Sequence, residues 1–346
     1  MDIDYLIEAS AALGASDVHL CFGLPPKLRI DGSLVSLEGA APLTDADCGE
    51  MALHLLGEAM PALGERDLSL TVGQRRVRAN LYRQSGHISC ALRILSDSIP
   101  ELEKLGLPPA VAEFPALRRG IVLVTGETGS GKSTTLAAIL RRINQTRQAH
   151  IITLEDPIEY IHAPDRCVID QREVGRDTAS YADGLRAILR EDPDVILIGE
   201  MRDLTTIETA LTAAETGHLV FATLHTNSAA DSIDRMVDVF PAERQRQIRM
   251  QLSMTLQAVL TQQLLPRREK GRVAACEVMV VSPAIRNLIR EGKTPQIANA
   301  VSTSADLGSI TMDNAILRLY KDRLITAETA RQAAHDPEYV RKNTLF

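Results

Sequence analysis

The chain has 346 residues, and 38 Lys plus Arg against 45 Asp plus Glu leave a net charge of −7. That length predicts two domains, each able to bury a core of its own, and 45% hydrophobic with 24% charged residues excludes a disordered chain. With only 3% aromatic residues and no Trp, the core must be aliphatic, and neither a stacking platform nor a general phosphate-backbone surface for nucleic acid is expected.

The N-terminus MDIDYLIEAS is acidic and amphipathic and lacks the basic start and apolar run of a signal peptide. No run of about eighteen apolar residues follows anywhere, so work at a membrane is expected from its surface, without insertion. Ile3, Leu6 and Ile7 recur at helical spacing behind Asp2, an N-cap residue, which predicts a first helix to about Leu13. Lys27 to Leu37 reads as a hairpin around Asp31-Gly32. Thr44 and Asp47 resemble a capping box for a helix running to about Gly57. In Arg75 to Tyr82 the residues Val77, Ala79 and Leu81 alternate with polar ones, and a partner strand is expected from His87 to Leu95 after the turn Ser85-Gly86. Together these elements predict a small α+β domain over residues 1–95.

A proline-containing stretch places a linker at residues 96–102. Beyond it the apolar runs IVLVT, HIITLE, VILIG and LVFATL alternate with helical stretches and lack polar alternation, as strands buried on both faces do. They predict an α/β domain with a mainly parallel sheet over residues 103–281, followed by a helical region over residues 282–346. The five cysteines, Cys21, Cys48, Cys90, Cys167 and Cys276, form no CxxC pair, which excludes a zinc ribbon or a disulfide scaffold and leaves them as small buried hydrophobes.

Chemistry concentrates after IVLVT, where Gly126-Glu127-Thr128-Gly129-Ser130-Gly131-Lys132-Ser133-Thr134 completes the phosphate-binding pattern GxxxxGK[ST] between a strand and a helix. Its glycines let backbone N–H groups wrap phosphate oxygens, Lys132 adds a point charge, and the Ser133 hydroxyl is the expected Mg²⁺ ligand of an ATP site. Carboxylates at the ends of neighbouring strands are the candidates for hydrolysis: Glu155, Asp156 and Glu159 after one, Glu200 after another. Glu200, with Ser133, is the candidate metal contact, and Glu159 the candidate to orient and deprotonate water. Gly199 stands where many such enzymes carry Asp. His218 and His225 bracket a further strand, an odd spacing that points them to opposite faces of a straight strand, with His225 the better sensor of a γ-phosphate.

GETGSGKST, ITLEDPIEY, DPDVILIGEMRD and TGHLVFATLHTNSA resemble, in order and spacing, the Walker A, Asp, Walker B and His boxes of the secretion ATPase superfamily. AIRNLIRE at 284–291 and TMDNAILRLYKDRLI resemble the ends of its pilus-retraction branch, and the likeness covers nearly the whole chain. This resemblance implies a PAS-like N-terminal domain, a RecA-like core, and a homohexameric ring with nucleotide between the domains. It further implies an inner-membrane platform protein as partner, a cytoplasmic location at that membrane, and pilus retraction driven by ATP and Mg²⁺. Arginines of the N-terminal strand pair, Arg78 and Arg93 among them, are then candidates to reach a γ-phosphate. An accessory retraction paralogue or a type II secretion ATPase is the alternative within the class. A DNA translocase and a nucleotide-gated scaffold are the alternatives outside it.

Overall fold

In the computed structural model residues 2–344 are described, except 31, 74, 96 and 97. Asp31 of the expected Asp31-Gly32 turn and the first two residues of the expected linker therefore lie outside the described residues. The chain divides into two compact units, residues 1–98 with 157–161, and residues 99–156 with 162–346.

The first unit runs α1 (Ile3–Ala12), β1 (Ala15–Cys21), β2 (Lys27–Ile30), β3 (Ser33–Ser36), α2 (Asp45–Leu56), β4 (Arg66–Val72), β5 (Arg75–Gln84) and β6 (His87–Ile94). Asp2 caps α1 by accepting from the Asp4 N–H at 2.9 Å. The Thr44–Asp47 capping box forms in full, and Gly57 closes α2 in the left-handed region that glycine enters without penalty. Ser85 and Gly86, both at positive φ, turn β5 into β6. Among the described residues the strands form one antiparallel sheet in the order β3-β2-β1-β6-β5-β4. Val18, Leu20, Val77, Ala79, Leu81 and Leu92 point from it onto Ile3, Leu6 and Ile7 of α1 and Met51, Ala52 and Leu55 of α2. The core is aliphatic, as the scarcity of aromatics requires.

The second unit begins with two 3₁₀ turns, Leu102–Leu105 and Pro109–Ala116. It continues β7 (Gly120–Thr125), α3 (Lys132–Thr146), β8 (His150–Glu155), β9 (Val168–Glu173), α4 (Tyr181–Ile188), β10 (Val195–Ile198), α5 (Leu204–Glu215), β11 (Leu219–Leu224), α6 (Ala229–Asp238), α7 (Ala242–Thr255), β12 (Leu256–Pro266) and β13 (Arg272–Val280). Five helices follow among the described residues: α8 (Pro283–Glu291), α9 (Ile297–Ser302), α10 (Met312–Lys321), α11 (Ala327–Ala333) and α12 (Pro337–Asn343). The sheet order is β13-β12-β7-β11-β10-β8-β9, parallel throughout except for the β12-β13 pair. Every residue of β7, β10 and β11 is buried, which is why their sequences show no alternation.

Strands β1, β4, β9, β12 and β13 carry no such signal. β1 and β4 begin with the charged or polar residues of ASD and RD, β9 is a mostly polar edge, and β12 contains Gln262 and Gln263 where an apolar run would be expected. Helix α12 is likewise hidden in a short polar segment, announced by the N-cap Asp336 and by Pro337 at its first position.

Candidate active site

Strands β7, β11, β10 and β8 lie side by side and parallel, so whatever follows each of them emerges at one edge of the sheet. β7 delivers the loop 126–131, whose close turns need three glycines at positive φ: 135° at Gly126, 82° at Gly129 and 95° at Gly131. A Cβ on Gly126 would meet the Gln262 carbonyl oxygen at 2.3 Å and Ser130 Oγ at 2.7 Å, so no side chain fits there. Gly131 is the N-cap of α3 and leaves the first N–H groups of that helix without a side-chain cap, pointed at the loop's concavity. Lys132 is 9% exposed, and its Nζ donates to the carbonyls of Gly126 at 2.6 Å and Glu127 at 2.9 Å. Ser130 Oγ is buried with no hydrogen-bond partner. Backbone donors, a helix N-terminus and a sequestered ammonium make an anion cradle. Beside it lies a cavity of about 540 Å³ bounded by Ser130, Gly131, Thr134, Leu264, Arg272 and Arg318.

β10 delivers Glu200. Its carboxylate accepts from Arg202 at 2.7 Å and lies 3.3 Å from His225 Nε2, at the end of the neighbouring β11. Burial works to raise the Glu200 carboxyl, but the Arg202 guanidinium and His225 outweigh it and hold the group below the usual carboxylate range. Glu200 is therefore an anion at neutral pH. Gly199 before it is glycine for want of room: a Cβ would stand 2.9 Å from Tyr181 Oη and 3.2 Å from the Glu155 Cα. β8 delivers Glu155, whose Oε1 accepts from Thr153 Oγ1 at 2.7 Å. Burial and then the fields of Asp156, Glu200 and Glu155 push the Tyr181 phenol up, so it stays protonated as a donor among the carboxylates.

His218 stands at the other end of β11, its Nδ1 2.8 Å from the Ala213 carbonyl oxygen and 3.1 Å from Thr216 Oγ1. Glu159, Arg78 and Arg93 belong to the first unit. There the carbonyl of Ile158, beside Glu159, accepts from Arg76 Nε at 3.4 Å. Arg78 and Arg93 face each other across β5 and β6, both exposed, and Arg93 Nε donates to Asp17 at 2.9 Å. The structure thus brings Glu200 and His225 into contact at the edge from which the phosphate loop emerges, and does not bring His218 to it. Arg202 and Tyr181 are additional members that the sequence reading misses. Arg202 carries a signal, two residues past Glu200 in IGEMRD; Tyr181 carries none beyond its place after the helix cap Ser180.

Among the described residues no group of three or more His, Cys, Asp or Glu could hold a metal ion by itself. Oxygen donors such as Ser133 and the anionic Glu200 suit a hard cation that takes the rest of its shell from phosphate oxygens and water, which is how Mg²⁺ binds with nucleotides. Among the described residues no helix is long and apolar enough to cross a membrane.

Residues 60–270 match the family model described as type II/IV secretion system protein. The chain is 47% identical over 343 residues to the Pseudomonas aeruginosa type IV pilus retraction ATPase PilT, covering 98% of this chain and 99% of that one. It is 42% identical to a twitching motility protein of Neisseria gonorrhoeae, covering 90% and 85% of the two chains. Among solved structures, the pilus retraction motor PilT with bound ADP superposes with a TM-score of 0.89 at 46% identity, covering 99% of both chains.

Proposed function

This chain belongs to the type II/IV secretion system protein family, and from that membership we propose that it is an ATP-hydrolysing motor that drives type IV pilus retraction. The observation that carries the reading is the contact of an anionic Glu200 with His225 and Arg202 at the strand edge that also delivers a complete phosphate loop. A bare anion-binding loop would need no such cluster.

Nucleotide phosphates would take the place of the Gly126 and Glu127 carbonyls as partners of Lys132, and the N–H groups of the loop and of α3 would hold the remaining oxygens. The cavity bounded by Thr134, Leu264, Arg272 and Arg318 has the size and mixed polarity for a base and ribose. Ser133 and Glu200 would hold Mg²⁺, which supplies charge neutralisation on the phosphates. Glu159 takes the proton of the attacking water as its oxygen bonds to the γ-phosphorus and the bond to the bridging oxygen of ADP breaks. Arg78 and Arg93 contribute positive charge to that transfer. His225, bonded to Glu200, reports the γ-phosphate, and His218 steadies the far end of the strand that carries it. The working assembly is a homohexameric ring, cytoplasmic and peripheral at the inner membrane, that passes its motion to a membrane-embedded platform protein.

The reading is tested by phosphate release from Mg-ATP and by motility. The purified protein should hydrolyse ATP, and a strain lacking it should assemble pili that do not retract and should lose twitching. Glu200→Gln should still bind ATP while kcat falls on the order of 10²-fold. Wild-type turnover in that variant would remove Glu200 from the mechanism, and absence of hydrolysis by the unmodified protein would end the ATPase reading altogether.

A further inference from the structure

Glu277 is a buried carboxylate that the chemistry above leaves unused. It sits in the middle of β13, 9% exposed, opposite Thr261 of β12. A carboxylate in such a place is costly unless the chain satisfies it. Here two helix beginnings do so. Oε1 accepts the N–H of Ala229, the first residue of α6, at 2.7 Å, and Oε2 accepts that of Met312, the first residue of α10, at 3.4 Å. Ser228 and Thr311 cap the same helices by bonding to Asp231 and Asn314, so Glu277 takes donors that these caps leave over. Burial pushes the Glu277 carboxyl up, with the two N–H bonds pulling the other way.

The start of α6 is also the far end of the segment that presents His225. β11 ends at Leu224, and residues 225–228 run directly into Ala229. Thr226 Oγ1 lies 2.6 Å from Ser232 Oγ, and Ser232 Oγ donates to the Ser228 carbonyl at 2.6 Å, so the segment is bonded to the helix whose first N–H Glu277 holds. We infer that Glu277 is a positioning residue for His225, fixing the segment 225–228 and tying it through a shared carboxylate to the beginning of α10. Both oxygens must act as acceptors for this to work, and a glutamine amide offers only one.

The inference rests on the ATPase reading of the site, and steady-state hydrolysis of Mg-ATP tests the two separately. Glu277→Gln should lower kcat on the order of tenfold while KM for ATP changes much less, because the phosphate loop is untouched, His225 is displaced, and Arg318, which bounds the cavity from α10, lies more than a turn beyond the freed Met312 N–H. Combined with His225→Gln it should add no further loss, since the residue it positions is already gone. Hydrogen exchange at the Ala229 and Met312 amides should quicken in Glu277→Gln. If that variant does not purify folded, Glu277→Asp, which keeps the charge but withdraws it by one methylene, carries the same expectations. Losses that add with those of His225→Gln, or an unchanged kcat in a folded variant, would overturn the inference and leave the ATPase reading standing. A wild-type protein without hydrolysis would overturn that reading instead.

Discussion

Gly199 illustrates how a single position can look like a defect in sequence and be a necessity in structure. The backbone after β10 passes so close to Tyr181 and Glu155 that a Cβ would have to displace the Tyr181 hydroxyl and crowd the backbone of β8, and Glu200, the next residue, supplies the carboxylate. Gly199→Asp, which would install the carboxylate many phosphate-loop enzymes carry, should therefore lower kcat and the unfolding midpoint together. A gain in turnover would show that the site has room. His162 makes a pH-dependent contribution. Burial drives its imidazole down from 6.5 to about 4, so below pH 6.5 the unfolded chain takes up a proton that the folded chain refuses. Stability present above pH 6.5 is then lost as pH falls towards 4, by roughly 3 kcal/mol in all. Urea unfolding across that range should show the loss, and His162→Asn should flatten it; an unchanged slope in the variant would assign the acid sensitivity elsewhere.

Helices and strands differ in how openly they declare what they do. The IRNLIRE stretch reads as an amphipathic helix, and Ile285 and Ile289 of α8 are indeed wholly buried. Its pattern does not reveal that Arg286 donates to the Ser253 carbonyl at 2.7 Å and the Met254 carbonyl at 3.1 Å, closing the last turn of α7. Arg286→Ala should leave the half-buried Ser253 carbonyl unmet and lower stability by about 1–3 kcal/mol, read as a chemical-denaturation midpoint, with KM for ATP unchanged. A shift in KM without loss of stability would mean that Arg286 serves the nucleotide instead. The same contrast separates what was legible across the chain. The phosphate loop, the buried strands β7, β8, β10 and β11, and the caps at Asp2 and Thr44 are local signals, set by neighbours in sequence. β12 and β13 bury polar residues such as Gln262 and Glu277 against partners far along the chain; Tyr181, the first residue of α4, reaches the site by packing against Gly199, and the pairing of β10 with β11 sets the Glu200–Arg202 pair beside His225. No window of sequence contains those pairings.

On the scale of the molecule, the α+β and α/β parts expected from the sequence have separate cores. One gathers Leu20, Leu81 and Leu92 over α1 and α2; the other is built on both faces of the seven-stranded sheet. Cores that share no side chains need not melt together. A ligand bound only to the folded form stabilises the unit that binds it, by about 2.7 kcal/mol at a hundredfold excess over Kd. Calorimetry should therefore resolve two transitions, with Mg-ADP raising the one that belongs to the unit carrying Lys132. Leu20→Ala, which empties part of the first core, should lower the other by about 2–5 kcal/mol and leave the nucleotide-sensitive transition in place. If the substitution and the nucleotide instead moved one shared transition, the two units would be a single cooperative body.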